Sequence, residues 1–186
     1  LKGKTVLVTG AAGSIGSEIC RQVATMGLQR LVLFDIAETP MHNIRLELEE
    51  KCPYLKLIPV IGDVRVTERV NKLFEQYTPQ VVFHAAAYKH VPLMEENPCE
   101  AIQVNVRGSI NIAEAALKYC AEKMIMISTD KAVNPTNIMG ASKRLAEIFI
   151  QSLGLHIAKG NTAGRTRYIT TRFGNVLGSN GSVVPR

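Results

Sequence analysis

Short runs of apolar residues alternate with longer segments of helical periodicity along the chain. Most of the apolar runs are continuous stretches of valine, isoleucine and leucine rather than period-two alternations, which is typical of parallel strands covered on both faces. We predict strands over 5–9, 31–34, 55–61, 81–84, 124–128 and 168–173. We predict helices over 14–26, 39–51, 67–76, 98–119 and 135–153. This alternation indicates an α/β fold with a doubly wound parallel sheet, and the expected strand order is 3-2-1-4-5-6.

One segment does not fit the alternation. Residues 154–166 are rich in Gly, Thr, Lys and Arg, so we predict a loop before the sixth strand. The 186 residues are the length of one domain. No apolar run approaches the ~18 residues that a spanning helix needs, and the N-terminus lacks the apolar stretch of a signal peptide. We therefore expect a cytoplasmic domain with no direct membrane contact.

Charge and cysteine content narrow the class of partner. The net charge is +6, and residues 148–186 carry five basic residues and no acidic one, which favours an anionic partner. Aromatic residues make up only 5% of the chain and we recognise no nucleic-acid-binding module, so we do not expect a nucleic acid. The four cysteines match no zinc pattern, so we expect free thiols in a reducing compartment and no metal site.

A glycine-rich turn follows the first predicted strand directly. Gly10, Gly13 and Gly16 have the spacing GxxGxxG and stand between a predicted strand and a predicted helix. In a dinucleotide-binding turn the first glycine permits a tight turn, the second lets backbone N–H groups approach a pyrophosphate, and the third lets the helix pack closely. The helix N-terminus, at Ser14 and Ile15, would add partial positive charge. We therefore predict a site for a dinucleotide cofactor here.

Two aspartates stand at the carboxyl ends of predicted strands. Asp35 ends the second strand, where we expect it to accept hydrogen bonds from the adenosine ribose. Its charge would repel a 2′-phosphate, which favours NAD over NADP; a helix cap is the alternative interpretation. Asp63, followed by Val64, comes after the third strand. There it meets the adenine amino group or caps a turn, and the sequence favours neither.

Four segments together resemble the extended short-chain dehydrogenase/reductases. They are GAAGSIGSEI, FHAAAYKHVPLME, NVRGSIN and STDKAVNPTNIMGASK. More narrowly, the chain resembles the bacterial nucleotide-sugar 4,6-dehydratases, above all the membrane-anchored UDP-N-acetylglucosamine 4,6-dehydratase group of the CapD-like capsular polysaccharide biosynthesis family. Members of that group carry N-terminal transmembrane helices and continue past GSVVPR into a lobe that closes over the sugar. The resemblance implies that residues 1–186 are an NAD-binding Rossmann domain, without that membrane region and without the C-terminal substrate lobe.

The resemblance also implies a reaction on a UDP-linked amino sugar. A hydride passes from sugar C4 to NAD, water is eliminated across C5 and C6, and the hydride returns to C6. In the family pattern Asp130 is the general acid toward the 6-hydroxyl, Lys131 is the base at C5, and Thr129 hydrogen-bonds the C4 oxygen. We expect Asp130 to be buried with a raised pKa, and Lys131 to lie in a cation-rich pocket with a lowered pKa. A solvated turn pair is the alternative interpretation of these two residues.

Lys143 corresponds to the lysine that binds the nicotinamide ribose in the resembled family. The tyrosine expected four residues earlier, on the same helix face, is replaced by Met139. A thioether cannot accept the substrate proton, and the resembled dehydratases also have Met here. This favours the dehydratase over a UDP-sugar 4-epimerase, which is one alternative; a non-catalytic NAD-binding module is the other. Core packing is the structural interpretation of Met139.

Further candidate positions surround the expected site. Small residues after the fourth strand would let the nicotinamide half of the cofactor approach the backbone, or they serve helix packing; they are Ala85, Ala86 and Ala87. We expect Lys89 and His90 at the rim, with Lys89 near a substrate phosphate; a structural histidine is the alternative for His90. Asn105 resembles the family asparagine beside the active site, or it fixes a helix–strand contact.

The end of the chain and the long helices complete the resemblance. Asn175, after the sixth strand, matches the family loop that binds the substrate diphosphate. Family members often pair through helices near 98–119 and 135–153, which implies a homo-oligomer.

Overall fold

The computed structural model describes residues 1–174 and residue 176. These residues form a six-stranded sheet in the order β3-β2-β1-β4-β5-β6, and every neighbouring pair is parallel. The strands are β1 (Thr5–Thr9), β2 (Arg30–Asp35), β3 (Lys56–Ile61), β4 (Val81–His84), β5 (Lys123–Thr129) and β6 (Arg167–Phe173). The predicted fold class and strand order are confirmed.

Helices connect the strands and cover the sheet. They are α1 (Ser14–Ala24), α2 (Glu38–Lys51), α3 (Thr67–Tyr77), α4 (Val91–Glu96), α5 (Pro98–Ala101), α6 (Ser109–Lys118) and α7 (Ile138–Ala158). A π-helical segment, Ile102–Gly108, joins α5 to α6, and a 3₁₀ turn, Asp130–Ala132, follows β5. Among the residues described, no helix is both long enough and apolar enough to cross a bilayer.

Alternate residues of β1 point into two different apolar clusters. Leu7 packs with Val32 and Phe34 on one side of the sheet, whereas Val6 and Val8 pack in the cluster on the other side. All three β1 residues are fully buried. The continuous apolar run of β1 therefore reflects coverage of both faces, as the sequence predicts. The four cysteines all lie in the described part of the chain and are free thiols, as expected.

Two helical predictions were wrong in part. The predicted loop over 154–166 begins too early, because α7 continues to Ala158. Leu153 and Tyr168 of β6 both pack against the core, and this packing outweighs the low helix propensity of Gly154. The predicted helix over 98–119 is not a single α-helix, because it contains the π segment. The short helix α4 was not predicted.

Candidate functional site

The glycine turn joins β1 to α1 in a conformation that requires glycine. Gly10 has φ +67°, and its carbonyl accepts a hydrogen bond from Gly13 N at 3.0 Å. A Cβ on Gly10 would lie 2.5 Å from Ala86 N, and a Cβ on Gly16 would lie 1.9 Å from Gly10 O. The tight turn predicted for Gly10 and the close packing predicted for Gly16 are both present.

The N-terminus of α1 opens toward this turn. Gly13 is the N-cap residue in an extended conformation, and among the described residues no side chain caps the helix. The first turn, which begins with Ser14 and Ile15, contains no acidic residue. The first turn of α1 therefore carries no carboxylate of its own against the positive end of the helix dipole, which can stabilise an anionic group.

The carboxylate of Asp35 is held by two backbone N–H groups. Its Oδ2 accepts a hydrogen bond from Ala12 N at 2.9 Å, and its Oδ1 accepts one from Ala37 N at 2.9 Å. Ala37 is the N-cap residue of α2, so Asp35 organises both the glycine turn and the entry to that helix. The ribose contact stays a prediction, and it uses the lone pairs that remain on these two oxygens.

Asp63 stabilises the turn that follows β3. Its Oδ1 accepts a hydrogen bond from Arg65 N at 2.8 Å, and its Oδ2 pairs with the Arg65 guanidinium at 2.7 Å. Burial acts to raise the pKa of Asp63, but the hydrogen bonds from Arg65 outweigh it and hold the pKa below its ordinary value. The turn-capping interpretation is therefore confirmed, and the adenine contact stays a prediction.

A cavity of about 270 Å³ lies between the glycine turn and the segments after β2, β3 and β4. Eight of the predicted cofactor-binding residues line it: Gly10, Gly13, Asp35, Asp63, Val64, Ala85, Ala86 and Ala87. The sequence analysis missed the eight other lining residues: Ala12, Phe34, Ile36, Ala37, Gly62, Arg65, Tyr88 and Val104. Ile36 directly follows Asp35 at the end of β2 and is 62% exposed. An apolar residue just beyond the end of a strand could therefore have been recognised in the sequence as a candidate for the cavity wall.

The segment after β5 carries the predicted acid and base at the same edge of the sheet. Thr129 Oγ1 donates to Asp130 Oδ1 at 2.9 Å, and the Lys131 ammonium pairs with the same oxygen at 3.2 Å. The expectation of a buried Asp130 with a raised pKa is wrong. Its side chain is 55% exposed, and the hydrogen bonds from Thr129 and Lys131 hold its pKa below the ordinary value. Lys131 pairs with a carboxylate rather than lying among cations.

Helix α7 begins in tight contact with this segment. Asn137 caps the helix by accepting a hydrogen bond from Gly140 N at 2.8 Å. A Cβ on Gly140 would lie 2.2 Å from the Lys131 carbonyl oxygen, so the helix and the 3₁₀ turn meet backbone to backbone. The start of α7 therefore fixes the main chain that carries Asp130 and Lys131.

Lys143 on α7 is a buried ammonium group. Its side chain donates to the Ile127 carbonyl at 2.7 Å, and the residue is 4% exposed. Burial lowers the pKa of Lys143 to about 8, although the Glu147 carboxylate acts in the opposite direction. Met139, one turn earlier, is buried and packs with Met94 and Ala101, which confirms its predicted packing role.

The carboxylate of Glu147 is buried one turn beyond Lys143. Arg172 of β6 donates to its two oxygens at 2.9 and 2.6 Å, and Arg144 donates at 3.0 Å. Burial acts to raise the pKa of Glu147, but the arginine hydrogen bonds outweigh it and bring the pKa to about 2. The sequence analysis missed this residue, because nothing in the local pattern shows that Arg172 lies opposite it.

The predicted substrate-binding residues have different environments. Lys89 and His90 are exposed in the segment between β4 and α4. Asn105 is fully buried, and its side chain bonds to Tyr88 N at 2.8 Å, Tyr88 O at 3.1 Å and Ser142 Oγ at 2.9 Å. The alternative of a helix–strand contact is wrong in its partners, because Asn105 joins the π segment to Tyr88, which lies in the loop after β4, and to Ser142 of α7. Asn175 lies outside the described residues.

Comparisons with known proteins agree with this arrangement of elements. The model of the family described as "Polysaccharide biosynthesis protein" matches residues 6–186. The chain is 50% identical over 186 residues to the capsular polysaccharide biosynthesis protein CapD of Staphylococcus aureus, covering 100% of this chain and 30% of that protein. It is 37% identical to the inverting UDP-N-acetylglucosamine 4,6-dehydratase of Campylobacter jejuni, covering 98% of this chain and 52% of that protein.

Solved structures share the fold. Pen from Bacillus thuringiensis superposes with a TM-score of 0.90 at 35% identity, over 99% of this chain and 56% of that one. The UDP-glucose 4-epimerase of Thermus thermophilus, solved in complex with NAD, superposes with a TM-score of 0.78 at 27% identity, over 94% of this chain and 56% of that one. The chain thus spans between about a third and somewhat more than half of the proteins that it matches.

Proposed function

The chain belongs to the polysaccharide biosynthesis protein family, and we propose that it is the NAD-binding domain of a nucleotide-sugar 4,6-dehydratase. One observation carries the proposal: the glycine turn and the Asp130–Lys131 pair follow the carboxyl ends of two parallel strands of one sheet, β1 and β5. Helix α7 adds the buried Lys143, whose ammonium bonds the Ile127 carbonyl of β5, and has methionine instead of a phenol at position 139. The Campylobacter jejuni relative, which is named as a 4,6-dehydratase, supports the reaction class.

The chain offers a fitting site for NAD. The pyrophosphate would lie at the uncapped N-terminus of α1, and the adenosine ribose would bond to Asp35, whose charge disfavours a 2′-phosphate. The cavity wall after β4 is built from alanines, which leaves room for the nicotinamide half. The NAD complex of the Thermus thermophilus epimerase supports this choice of cofactor. When bound, NAD supplies a hydride acceptor beside sugar C4.

Lys143 would hold the cofactor ribose. An ammonium group can donate three hydrogen bonds. Among the described residues, the Ile127 carbonyl accepts one of them. Ribose hydroxyls would accept the others and so compensate the burial of the charge. Because position 139 is a buried methionine, Lys143 has no phenol to activate, and proton transfer falls to another group.

Asp130 and Lys131 are the groups that would move protons at C5 and C6. Their 3.2 Å ion pair keeps an acid and a base together at the sheet edge. A sugar bound over the pair would remove water from Asp130 and raise the pKa of its carboxyl group, which would make the protonated form available as a general acid toward the 6-hydroxyl. Lys131, once neutral, would take the C5 proton, and Thr129 would hydrogen-bond the C4 oxygen.

Mass spectrometry of the sugar product tests the reaction. The full-length protein is incubated with UDP-N-acetylglucosamine, and we expect a product lighter by one water. Asp130→Asn should abolish this product while NAD binding persists, and Glu50→Gln, on the exposed face of α2, should leave it unchanged. Undiminished turnover of Asp130→Asn would refute the assignment of Asp130 as the acid.

An epimerase is the alternative that a specific observation favours. The structure of the Thermus thermophilus UDP-glucose 4-epimerase matches this chain over 94% of its length. An epimerase would give a product of unchanged mass with inverted C4, which proton NMR of the sugar ring distinguishes from the substrate. Met139 argues against this reading, because no phenol is available at that position for the 4-hydroxyl proton. Bound NAD without any sugar product would instead identify a non-catalytic module.

We also propose that two copies pair through the outer faces of α7 and the π segment. Leu145, Ile148 and Leu155 are each about half exposed and recur on one face of α7, and Ile102 of the π segment is also exposed. Light scattering tests this pairing. Leu145→Glu should shift a dimer to monomers, and a dimer that persists would contradict the assignment of this face.

A further inference from the structure

Three fully buried polar side chains link β1, β4 and α6 behind the proposed cofactor site. Thr9, His84 and Ser109 each have no exposed surface. Thr9 Oγ1 lies 2.7 Å from His84 Nδ1, and His84 Nε2 lies 2.9 Å from Ser109 Oγ. We refer to Thr9, His84 and Ser109 as the hydrogen-bonded row. The proposed mechanism does not use this row, which lies between the glycine turn and the π segment.

The partners at the two ends of the row fix the direction of every hydrogen bond. Ser109 Oγ lies 2.6 Å from the Asn105 carbonyl, which can only accept, so the Ser109 hydroxyl donates there. Ser109 Oγ must then accept from His84, which requires the ring hydrogen on Nε2. The unprotonated Nδ1 accepts from the Thr9 hydroxyl, whose oxygen accepts from Ala86 N at 3.4 Å. One orientation thus satisfies all the groups.

A charged imidazolium does not fit this arrangement. Both of its nitrogens would donate, and Thr9 would have to turn its hydroxyl hydrogen away from the ring. Burial, together with the nearby positive charge of Lys143, lowers the pKa of His84 to about 3. His84 therefore stays neutral at physiological pH, and with no exposed surface it does not exchange protons with a substrate.

The two ends of the row are backbone groups that shape the cavity. Ala86 N is the atom nearest to an ideal Cβ built on Gly10, at 2.5 Å. The position of Ala86 N therefore sets the distance between the segment after β4 and the glycine turn. At the other end, Asn105 belongs to the π segment, and its side chain holds both backbone groups of Tyr88. The alanine wall is the part of the cavity lining formed by residues 85–87. The imidazole ring of His84 thus connects the hydrogen bonds on both sides of this wall.

Building on the proposed dinucleotide-binding function, we propose that His84 is a positioning residue. As the neutral Nε2–H tautomer, it holds the 85–87 wall and the Asn105 segment in register with the Gly10 turn, so that the wall fits a dinucleotide. It acts through Thr9 and Ser109, and it does not touch the cofactor.

Nitrogen-15 NMR of labelled histidines tests the tautomer without any cofactor. We expect one neutral form of His84 with its hydrogen on Nε2 and no titration between about pH 5 and pH 8. A hydrogen on Nδ1, or titration within that range, would overturn the proposal. The signal that vanishes in His84→Gln identifies the residue, and His42→Gln removes an exposed histidine of α2 as the matched control.

NAD affinity and amide exchange then test the positioning role. His84→Gln keeps a donor toward Ser109 but loses the acceptor for Thr9, so we expect NAD to bind about tenfold more weakly, as for one lost buried hydrogen bond. The Ala86 amide should exchange faster in this variant, and His42→Gln should match the wild type in both measurements. Unchanged NAD affinity and unchanged exchange in a folded His84→Gln would overturn the proposal.

A second pair of variants covers the case in which His84→Gln does not fold. Thr9→Val removes the hydroxyl at nearly constant shape, and Thr9→Ser restores it. We expect weaker NAD binding and faster Ala86 exchange in the first, and recovery of both in the second; no difference between them overturns the proposal. A wild-type protein that does not bind NAD refutes the proposed function instead, and the exchange of Ala86 still decides whether the hydrogen-bonded row holds the wall.

Discussion

The two halves of the candidate site are held in place by different physical means. On the β1–α1 side, the glycine turn is fixed by backbone contacts: Gly16 and Gly10 leave no space for a Cβ, and Asp35 is held by N–H groups. On the β5–α7 side, buried charged groups hold the site in place: the Lys143 ammonium donates to the Ile127 carbonyl, and the Glu147 carboxylate accepts hydrogen bonds from arginines. The steric contacts of Gly10 and Gly16 are insensitive to pH, whereas the ion pairs of Glu147 depend on the ionisation of its carboxylate, so these two supports should fail under different conditions.

Glu147→Gln should have the largest effect on stability. The buried carboxylate accepts three hydrogen bonds from Arg172 and Arg144, and glutamine would turn an NH₂ group toward these guanidinium groups. Since a hydrogen bond to a charged group contributes about 1.5–3 kcal/mol, we expect the loss of several to cost about 3–5 kcal/mol. Urea unfolding measures this loss, and Glu49→Gln, which removes an exposed carboxylate of α2, is the control. A loss as small as that of the control would mean that the ion cluster contributes little.

The same residue predicts how stability depends on pH. The folded pKa of Glu147 is about 2, below its ordinary value of 4.5, so the folded protein binds this proton less readily than the unfolded chain. The contribution of Glu147 is therefore complete above about pH 4.5 and is lost as the pH falls toward 2. Glu147→Gln should flatten the dependence of the unfolding free energy on pH in this window. An unchanged slope would contradict the assignment.

Gly16→Ala tests the half that depends on backbone sterics. Its Cβ would lie 1.9 Å from Gly10 O, a backbone atom that cannot move aside, so we expect a loss of about 3 kcal/mol, at the upper end of overpacking costs. Gly13→Ala is the matched control, because its Cβ would lie 3.4 Å from the same oxygen. Thermal unfolding of both variants measures the contrast, and equal melting temperatures would remove the steric argument.

Asp35→Ala should weaken NAD binding by ~1.5–3 kcal/mol, the range for hydrogen bonds to a charged group. Isothermal titration calorimetry measures the loss, with the exposed Glu38→Ala as the control. An unchanged affinity would leave Asp35 with its role in fixing Ala12 and Ala37 and would remove the ribose contact.

Asp130→Asn should have the smallest effect on stability. The carboxylate is more than half exposed, and within the described part of the chain it pairs with its sequence neighbours Thr129 and Lys131, so water replaces the lost bonds and the melting temperature should hardly change. Differential scanning calorimetry measures this. A large drop would show that the exposed ion pair supports the fold, which would weaken the contrast between the buried and exposed charges of the β5–α7 side.

The sequence was sufficient for the parts of the molecule that depend on local pattern. The apolar runs predicted every strand, and the GxxGxxG spacing predicted a turn whose Gly10 has a positive φ. The π segment was not predicted in this way, and its residue Asn105 bonds to Tyr88 and Ser142, which are distant in sequence. Likewise, no local signal separates the exposed Asp130 from the buried Glu147. The charge of the buried Glu147 is compensated by Arg172, which β6 places opposite it.

The tight contact between Gly140 and the Lys131 carbonyl has a mechanical consequence. Because α7 carries Lys143 on the turn after this contact, a tilt of the helix would displace the Lys143 ammonium and the main chain of Lys131 together. The proposed ribose contact of Lys143 and the proposed acid–base pair are therefore coupled through a single helix.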